Sequence, residues 1–172
     1  AANAAKYFKE YKKSYTAEQT LTSLTAEDER EIAYLETVEE SLSRCECLAD
    51  INEIRDELCE QGYMRSSAKG IRRKKQEALP REYVSPEGYR ILVGRNNRQN
   101  DLLTTKIAAK SDIWFHTKNI PGSHVVVCCG GEPVSEATLL AAAELAAFYS
   151  KASSSEQVPV DYTPIKYVKK PG

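Results

Sequence analysis

The sequence predicts an α+β protein, with a long helical N-terminal segment followed by a small sheet domain of β-α-β-β-α-β order. Three observations carry that expectation. From Ala17 to Ala49 proline and glycine are absent and acidic residues are dense, the pattern of continuous helix. From Tyr83 onward turn residues recur and apolar runs shorten, as in strands and short helices. Between the two, residues 65–81 hold Arg65, Lys69, Arg72, Arg73, Lys74, Lys75 and Arg81 against Glu77 alone, which reads as a solvated tether or a phosphate-contacting arm. The expected division is a helical coiled-coil segment at 1–62, a basic linker at 63–82 and an α+β domain at 83–172.

In the first segment, Phe8, Tyr11 and Tyr15 recur at helical spacing, with Lys6, Lys9, Lys12 and Lys13 largely around the other side. Leu35, Val38, Leu42, Cys45 and Ala49 then follow the 3-4-3-4 rhythm of a coiled-coil seam. Leu21 and Leu24 fit the same register, but Asp28 falls on the seam with Ile32 beside it. That defect is a stutter, a local bend or a helix boundary capped at Thr25-Ala26-Glu27-Asp28. A seam needs a partner, and Ile51, Ile54 and Leu58 supply only a short one. The expected partner helix comes from a missing part of the same chain or from another copy. Asp50 is the expected N-cap of a second helix that closes at Glu60-Gln61-Gly62, with Gly62 as its C′ residue.

In the sheet domain, a Ser85-Pro86-Glu87-Gly88 turn precedes a strand from Tyr89 to Val93, ended by Gly94. The polar run Arg95 to Asp101 follows. Asn96 or Asn97 caps a helix to about Ala109, buried through Leu102, Leu103 and Ile107. In the next strand, period-two alternation puts Asp112, Trp114 and His116 on one face, equipped for contact, and Ile113, Phe115 and Thr117 on an apolar one. Asn119-Ile120-Pro121-Gly122 turns the chain, proline fixing φ and glycine tolerating φ > 0. The β-branched run His124 to Cys129 completes a hairpin-like unit near the centre of the sheet. After Gly130-Gly131-Glu132-Pro133, Ser135 opens an alanine-rich helix to about Tyr149. Val158 to Tyr162 and Ile165 to Val168 supply one or two last strands.

Charge separates the halves. Residues 1–62 carry seven Lys/Arg against fifteen Asp/Glu, and residues 63–172 carry seventeen against ten, inside a net charge of −1. The basic half is the candidate for a polyanionic partner. No apolar run approaches the roughly 18 residues of a membrane span, and the start has no signal-peptide core, so no membrane partner is expected. The five cysteines show no CxxC spacing and read as reduced cytosolic thiols rather than zinc ligands. The chain has no initiator methionine and reads as a piece of a larger one.

On paper Asp112, His116, Ser123 and His124 assemble a nucleophile-base-acid set. No G-x-S-x-G elbow, Walker A loop, HExxH pair or paired-carboxylate helix accompanies them, so the expectation is no enzyme and no catalytic residue. His116 and His124 lack evident third and fourth metal ligands, and neither metal nor cofactor is expected. Binding has more support. Arg95, Arg98, Lys106, Lys110 and Lys118 cluster with Asn96, Asn97, Gln99 and Asn100, donors suited to phosphates and base edges, and Trp114 and His116 offer stacking surfaces. The competing reading makes Trp114 a core tryptophan and the asparagines caps, and composition leaves the two equal.

Longer blocks shift that balance. Ile91 to Asp101, Leu103-Thr104 and Lys106, Asp112 to Lys118, Ile120 to Val126, Val160 to Pro164 and Tyr167 to Pro171 closely resemble the NFACT-R domain of the NFACT family. Asn3 to Lys9, Tyr34-Leu35-Glu36 and Glu53 to Leu58 resemble that family's middle coiled-coil region. The resemblance implies a cytoplasmic role in ribosome-associated quality control: binding large ribosomal subunits obstructed by peptidyl-tRNA and recruiting tRNA, so that an alanine tail marks the stalled peptide. An older family label, fibronectin-binding protein, implies the alternative of a surface adhesin fragment. The family's N-terminal domain and helix-hairpin-helix region have no counterpart here, so tail synthesis by this piece alone is not expected. Carried over by position, the RNA-binding candidates are Arg95, Asn96, Asn97, Arg98, Asn100, Lys106, Trp114, His116, Lys118 and His124. The arginines and Lys118 are assigned to phosphates, and Trp114 or His116 to base stacking or core support. Asp101 and Asp112 are supporting residues that orient the neighbouring arginines.

Overall fold

The computed structural model describes residues 2–65 and 79–169, so most of the basic linker lies outside the described residues. The chain divides into two units, 1–36 and 37–172, each described by itself. Helix α1 runs unbroken from Ala2 to Ser43. The defect at Asp28 is therefore no helix boundary: helical hydrogen bonds are local, and an acid on an exposed surface interrupts the apolar stripe without interrupting the backbone. Along the first unit Tyr7, Tyr11, Tyr15, Leu21 and Leu24 are exposed.

In the second unit α1 ends at Ser43, so Cys45 and Ala49, which continue the seam rhythm in sequence, do not continue the same helix. Helix α2 spans Leu48–Glu60 with Cys47, not Asp50, as its N-cap. Asp50 takes the third helical position, where its Oδ2 accepts the backbone N–H groups of Glu46 at 3.0 Å and Cys47 at 3.3 Å, reaching back as a capping-box acid does. Gly62 adopts φ +86° just past the C-cap Gln61, the left-handed conformation that glycine takes without a Cβ penalty.

Five antiparallel strands follow: β1 Arg81–Val84, β2 Arg90–Val93, β3 Ile113–Thr117, β4 Val125–Cys128 and β5 Val160–Pro164, in spatial order β1-β2-β4-β3-β5. The α+β expectation holds, with one strand more than the sequence pattern indicated. Strand β1 is an edge of charged and aromatic residues without an apolar run, and it forms by pairing Tyr83 with Ile91 across the Ser85–Gly88 turn. At the other end Ile165–Tyr167 is a single 3-10 turn rather than a strand.

Both faces of the sheet are covered. On one, Ile91, Val93, Phe115, Val125 and Val127 pack against Ala142, Ala146 and Tyr149 of helix α4, Glu136–Phe148, whose N-cap Ser135 accepts the Thr138 N–H. The small alanines let helix and sheet approach closely. On the other, Leu92 and Val126 form a smaller cluster with Leu103 and Ile165, and Trp114 packs against it. The contact face expected around Trp114 is thus partly core. Helix α3, Asn97–Leu102, starts from the cap Asn96 and passes into one turn of π-helix, Leu103–Ile107. The wider turn shifts the phase, so Leu103 is fully buried while Ile107, expected inside, is 46% exposed. Between β3 and β4 the left-handed residue is Asn119 at φ 54°, not Gly122. Gly122 is needed for closeness, because a Cβ there would lie 2.9 Å from Ser150 Cβ.

Among the described residues no helix is long and apolar enough to cross a membrane.

Candidate nucleic-acid interface

Two arrangements involve the sequence-predicted site residues. The first is an acidic cradle. Glu46, Asp50, Glu53, Glu57 and Glu60 recur at intervals of four and three along and just before α2, which places them along one side. Asp50, Glu53 and Glu57 are buried. Facing them is the start of the polar run. Arg95 Nη1 lies 2.9 Å from Glu46 Oε2 and 3.3 Å from Asp50 Oδ2, and its Nε donates to the Leu79 carbonyl. Asn96 Nδ2 and Gln99 Nε2 both donate to Glu53 Oε2, at 2.7 and 3.0 Å. Asn97 Nδ2 reaches Glu57 at 3.2 Å and Thr37 Oγ1 at 2.8 Å. Arg98 meets Glu60 at 3.6 Å, with both side chains exposed. Arg81, counted with the basic linker in sequence, is buried and donates to Glu46 Oε1.

The charges in this cradle support one another. Hydrogen bonds from Arg95 and then Arg81 hold the Glu46 carboxyl below its ordinary range. Burial works to raise Asp50, but the Glu46 N–H, the Arg95 charge and Cys47 outweigh it and leave the carboxyl lowered. Arg95, Asn96 and Asn97 therefore tie the sheet domain to α2. The acidic spacing that accompanies them was present in the sequence, alongside the apolar seam, and it is the signal that identifies the cradle.

The second arrangement lies on the sheet. Trp114 and His116 stack at 5.7 Å with rings 14° apart, and His124 meets both edge-on, at 5.2 and 5.4 Å. The three sequence-predicted rings are brought together, each half-buried. His124 Nδ1 is linked to Thr104 Oγ1 of the π-turn at 2.9 Å. Burial, reinforced by His116, pushes His124 down to about 4, and burial also lowers His116. Both rings are thus neutral near pH 7. Asn100 is buried, and its Oδ1 accepts the His124 N–H at 3.0 Å. Asp112, also buried, accepts the N–H groups of Ala109 and Gly130, each at 2.8 Å. It orients no arginine but pins two turns. Asp101 is exposed.

The cations of residues 79–169 fall into two groups, and Lys151, 4.0 Å from Glu39, joins the paired one. Arg81, Arg90, Arg95 and Arg98 all pair with carboxylates. Lys106, Lys110, Lys118, Lys166 and Lys169 are exposed, and none is in an ion pair among the described residues. Among the described residues no group of three or more His, Cys, Asp or Glu has metal-binding geometry.

Comparison with known proteins agrees with this architecture. Residues 1–77 match the family model for the NFACT N-terminal and middle domains, and residues 80–172 match the one for the NFACT protein RNA binding domain. The chain is 44% identical over 171 residues to the Rqc2 homolog RqcH of Bacillus subtilis. It is 45% identical over 170 residues to the Rqc2 homolog RqcH of Streptococcus suis. Each alignment covers 98% of this chain but 30% of the relative. Among solved structures, the C-terminal part of the fibronectin/fibrinogen-binding protein from Streptococcus suis superposes with a TM-score of 0.89 at 45% identity, covering 98% of this chain and 67% of that one. The chain belongs to the NFACT family, residues 1–77 matching the combined model of its N-terminal and middle domains and residues 80–172 that of its RNA-binding domain.

Proposed function

We propose that this chain is the RNA- and ribosome-binding part of a cytoplasmic ribosome-associated quality control factor. The whole factor recognises large ribosomal subunits obstructed by peptidyl-tRNA and recruits tRNA for alanine tailing of the stalled peptide. In this reading the chain supplies binding rather than catalysis. The observation that carries it is the match of residues 80–172 to an RNA-binding domain model. Lys106, Lys110, Lys118, Lys166 and Lys169, exposed and in no ion pair among the described residues, support it, because a cation without a protein carboxylate is available to a phosphate. The test is binding of the chain to purified large ribosomal subunits and to labelled tRNA across a salt series. Affinity that falls steeply with salt is the expected result, and absence of binding to both contradicts it.

The description of the Streptococcus suis neighbour favours a second reading, a fibronectin-binding adhesin fragment. Immobilised fibronectin assayed in parallel separates the two, since adhesion predicts capture there and none on ribosomal subunits.

A further inference from the structure

Arg81 and Arg95, themselves largely buried, are held in carboxylate pairs and Arg90 and Arg98 in exposed ones, whereas five lysines of the sheet domain are in no ion pair among the described residues, and four of them share one region. The turn Ile165–Tyr167 is held to the segment before β3 by backbone hydrogen bonds, Ile165 N–H to the Asp112 carbonyl at 2.9 Å and Lys166 N–H to the Lys110 carbonyl at 3.1 Å. Ile165 and Leu103 enter one buried cluster, which sets the 3-10 turn beside the π-turn that carries Lys106. The sheet's second face is thereby bordered by Lys106, Lys110, Lys166 and Lys169, all exposed. Two exposed apolar groups lie among them, Ile107 at 46% and Tyr167 at 64%. The Lys166 ammonium sits 4.9 Å from the centre of the Tyr167 ring. The carboxylate within this stretch, Asp112, is buried and accepts two backbone N–H groups rather than pairing with a lysine.

An exposed aromatic ring with one ammonium against it and further lysines on the adjoining segments matches unpaired nucleotides, whose bases stack and whose phosphates need cations. A duplex offers no base face to Tyr167. We propose that Lys106, Lys110, Lys166 and Lys169 with Tyr167 form a single-stranded RNA surface, and that the Arg95–Arg98 segment acts as the joint to α2. This rests on the RNA-binding reading above and locates its surface.

The test uses the whole chain with a labelled single-stranded oligouridylate and, separately, purified large ribosomal subunits, each over a salt series. Lys110→Glu/Lys166→Glu is expected to weaken oligouridylate binding at least tenfold and to flatten the log-log salt slope by about 1.4. Lys110→Arg/Lys166→Arg is expected to keep both. Tyr167→Ala is expected to weaken binding about fivefold or more with the slope unchanged. Lys9→Glu/Lys13→Glu, the same charge change on α1, is expected to leave the slope as it is. All replaced side chains are exposed, and matching thermal midpoints check the fold. An unaltered chain that binds, with the Lys110/Lys166 reversal binding equally well, overturns this surface while leaving the RNA-binding reading intact. An unaltered chain that binds neither probe overturns both.

Discussion

The guanidinium of Arg95 and the carboxylate of Glu46 meet at 2.9 Å across 49 positions of sequence, and Asp50 shares the same nitrogen at 3.3 Å. An arginine at the head of a polar run is thereby tied to the acidic side of α2. Its phosphate-binding capacity is spent within the protein, and its first contribution is to hold α2 against the sheet domain.

Arg95→Ala and Arg98→Ala should therefore behave differently. Arg95 is one-fifth exposed and serves the buried Asp50, so its loss is expected to cost about 2–3 kcal/mol, somewhat less than for a fully buried pair. Arg98, exposed and 3.6 Å from Glu60, is expected to cost less than about 0.5 kcal/mol. Urea midpoints measure both. Equal costs would show that the Arg95 pair is not the anchor.

Glu53 is the acceptor that Asn96 Nδ2 and Gln99 Nε2 share. Glu53→Ala leaves two buried amides without it and is expected to cost about 2–4 kcal/mol. A loss below about 0.5 kcal/mol in chemical denaturation would mean that water replaces the carboxylate there.

Acid should loosen the fold through the ring trio. His124 titrates near 4 in the folded chain against 6.5 for the free side chain, and His116 is lowered too. The unfolded chain then binds more protons, so stability rises with pH. The contribution is complete above about pH 6.5 and is lost as pH falls toward about 4. Glu46 and Asp50 are lowered from 4.5 and 3.8, and their share is lost only below those values, so the histidines act first. Thermal midpoints from pH 7 to 4.5 should fall, and His124→Gln should fall less steeply. A flat profile over that range would contradict the neutral rings.

Gly94 lies against Asn100, and a Cβ there would overlap Asn100 Oδ1 and approach Asn100 N to 3.1 Å. That oxygen accepts the His124 N–H. Gly94→Ala is expected to cost about 1–3 kcal/mol by displacing a packed side chain and to speed hydrogen exchange at His124. Unchanged exchange would show that Asn100 moves without cost.

Local chemistry made much of the fold legible. Ser135 as N-cap, Gly62 as left-handed terminator and Phe115 on the buried face each follow from a rule that spans a few residues, and each is found; of the two expected caps, Asn96 and Asn97, the structure uses Asn96. Strand β1 was not legible, because its four residues acquire strand geometry only by pairing with β2. Ile107 was misplaced for a related reason: the π-turn is held by tertiary links such as Thr104 to His124, and it shifts the phase that an α-helical count assumes.

The candidate site divides the same way. Sequence by itself determined the α+β class, the family resemblance and the separation of charge, and it named candidates for contact chemistry. Only the tertiary structure decided which cations are already used. The side chains of Arg95, Asn96 and Asn97 look like free donors in a linear chain, and their partners at Glu46, Asp50, Glu53 and Glu57 lie some forty positions away. Whether an ion is available depends on what folding brings within about 4 Å of it, and no local pattern records that distance.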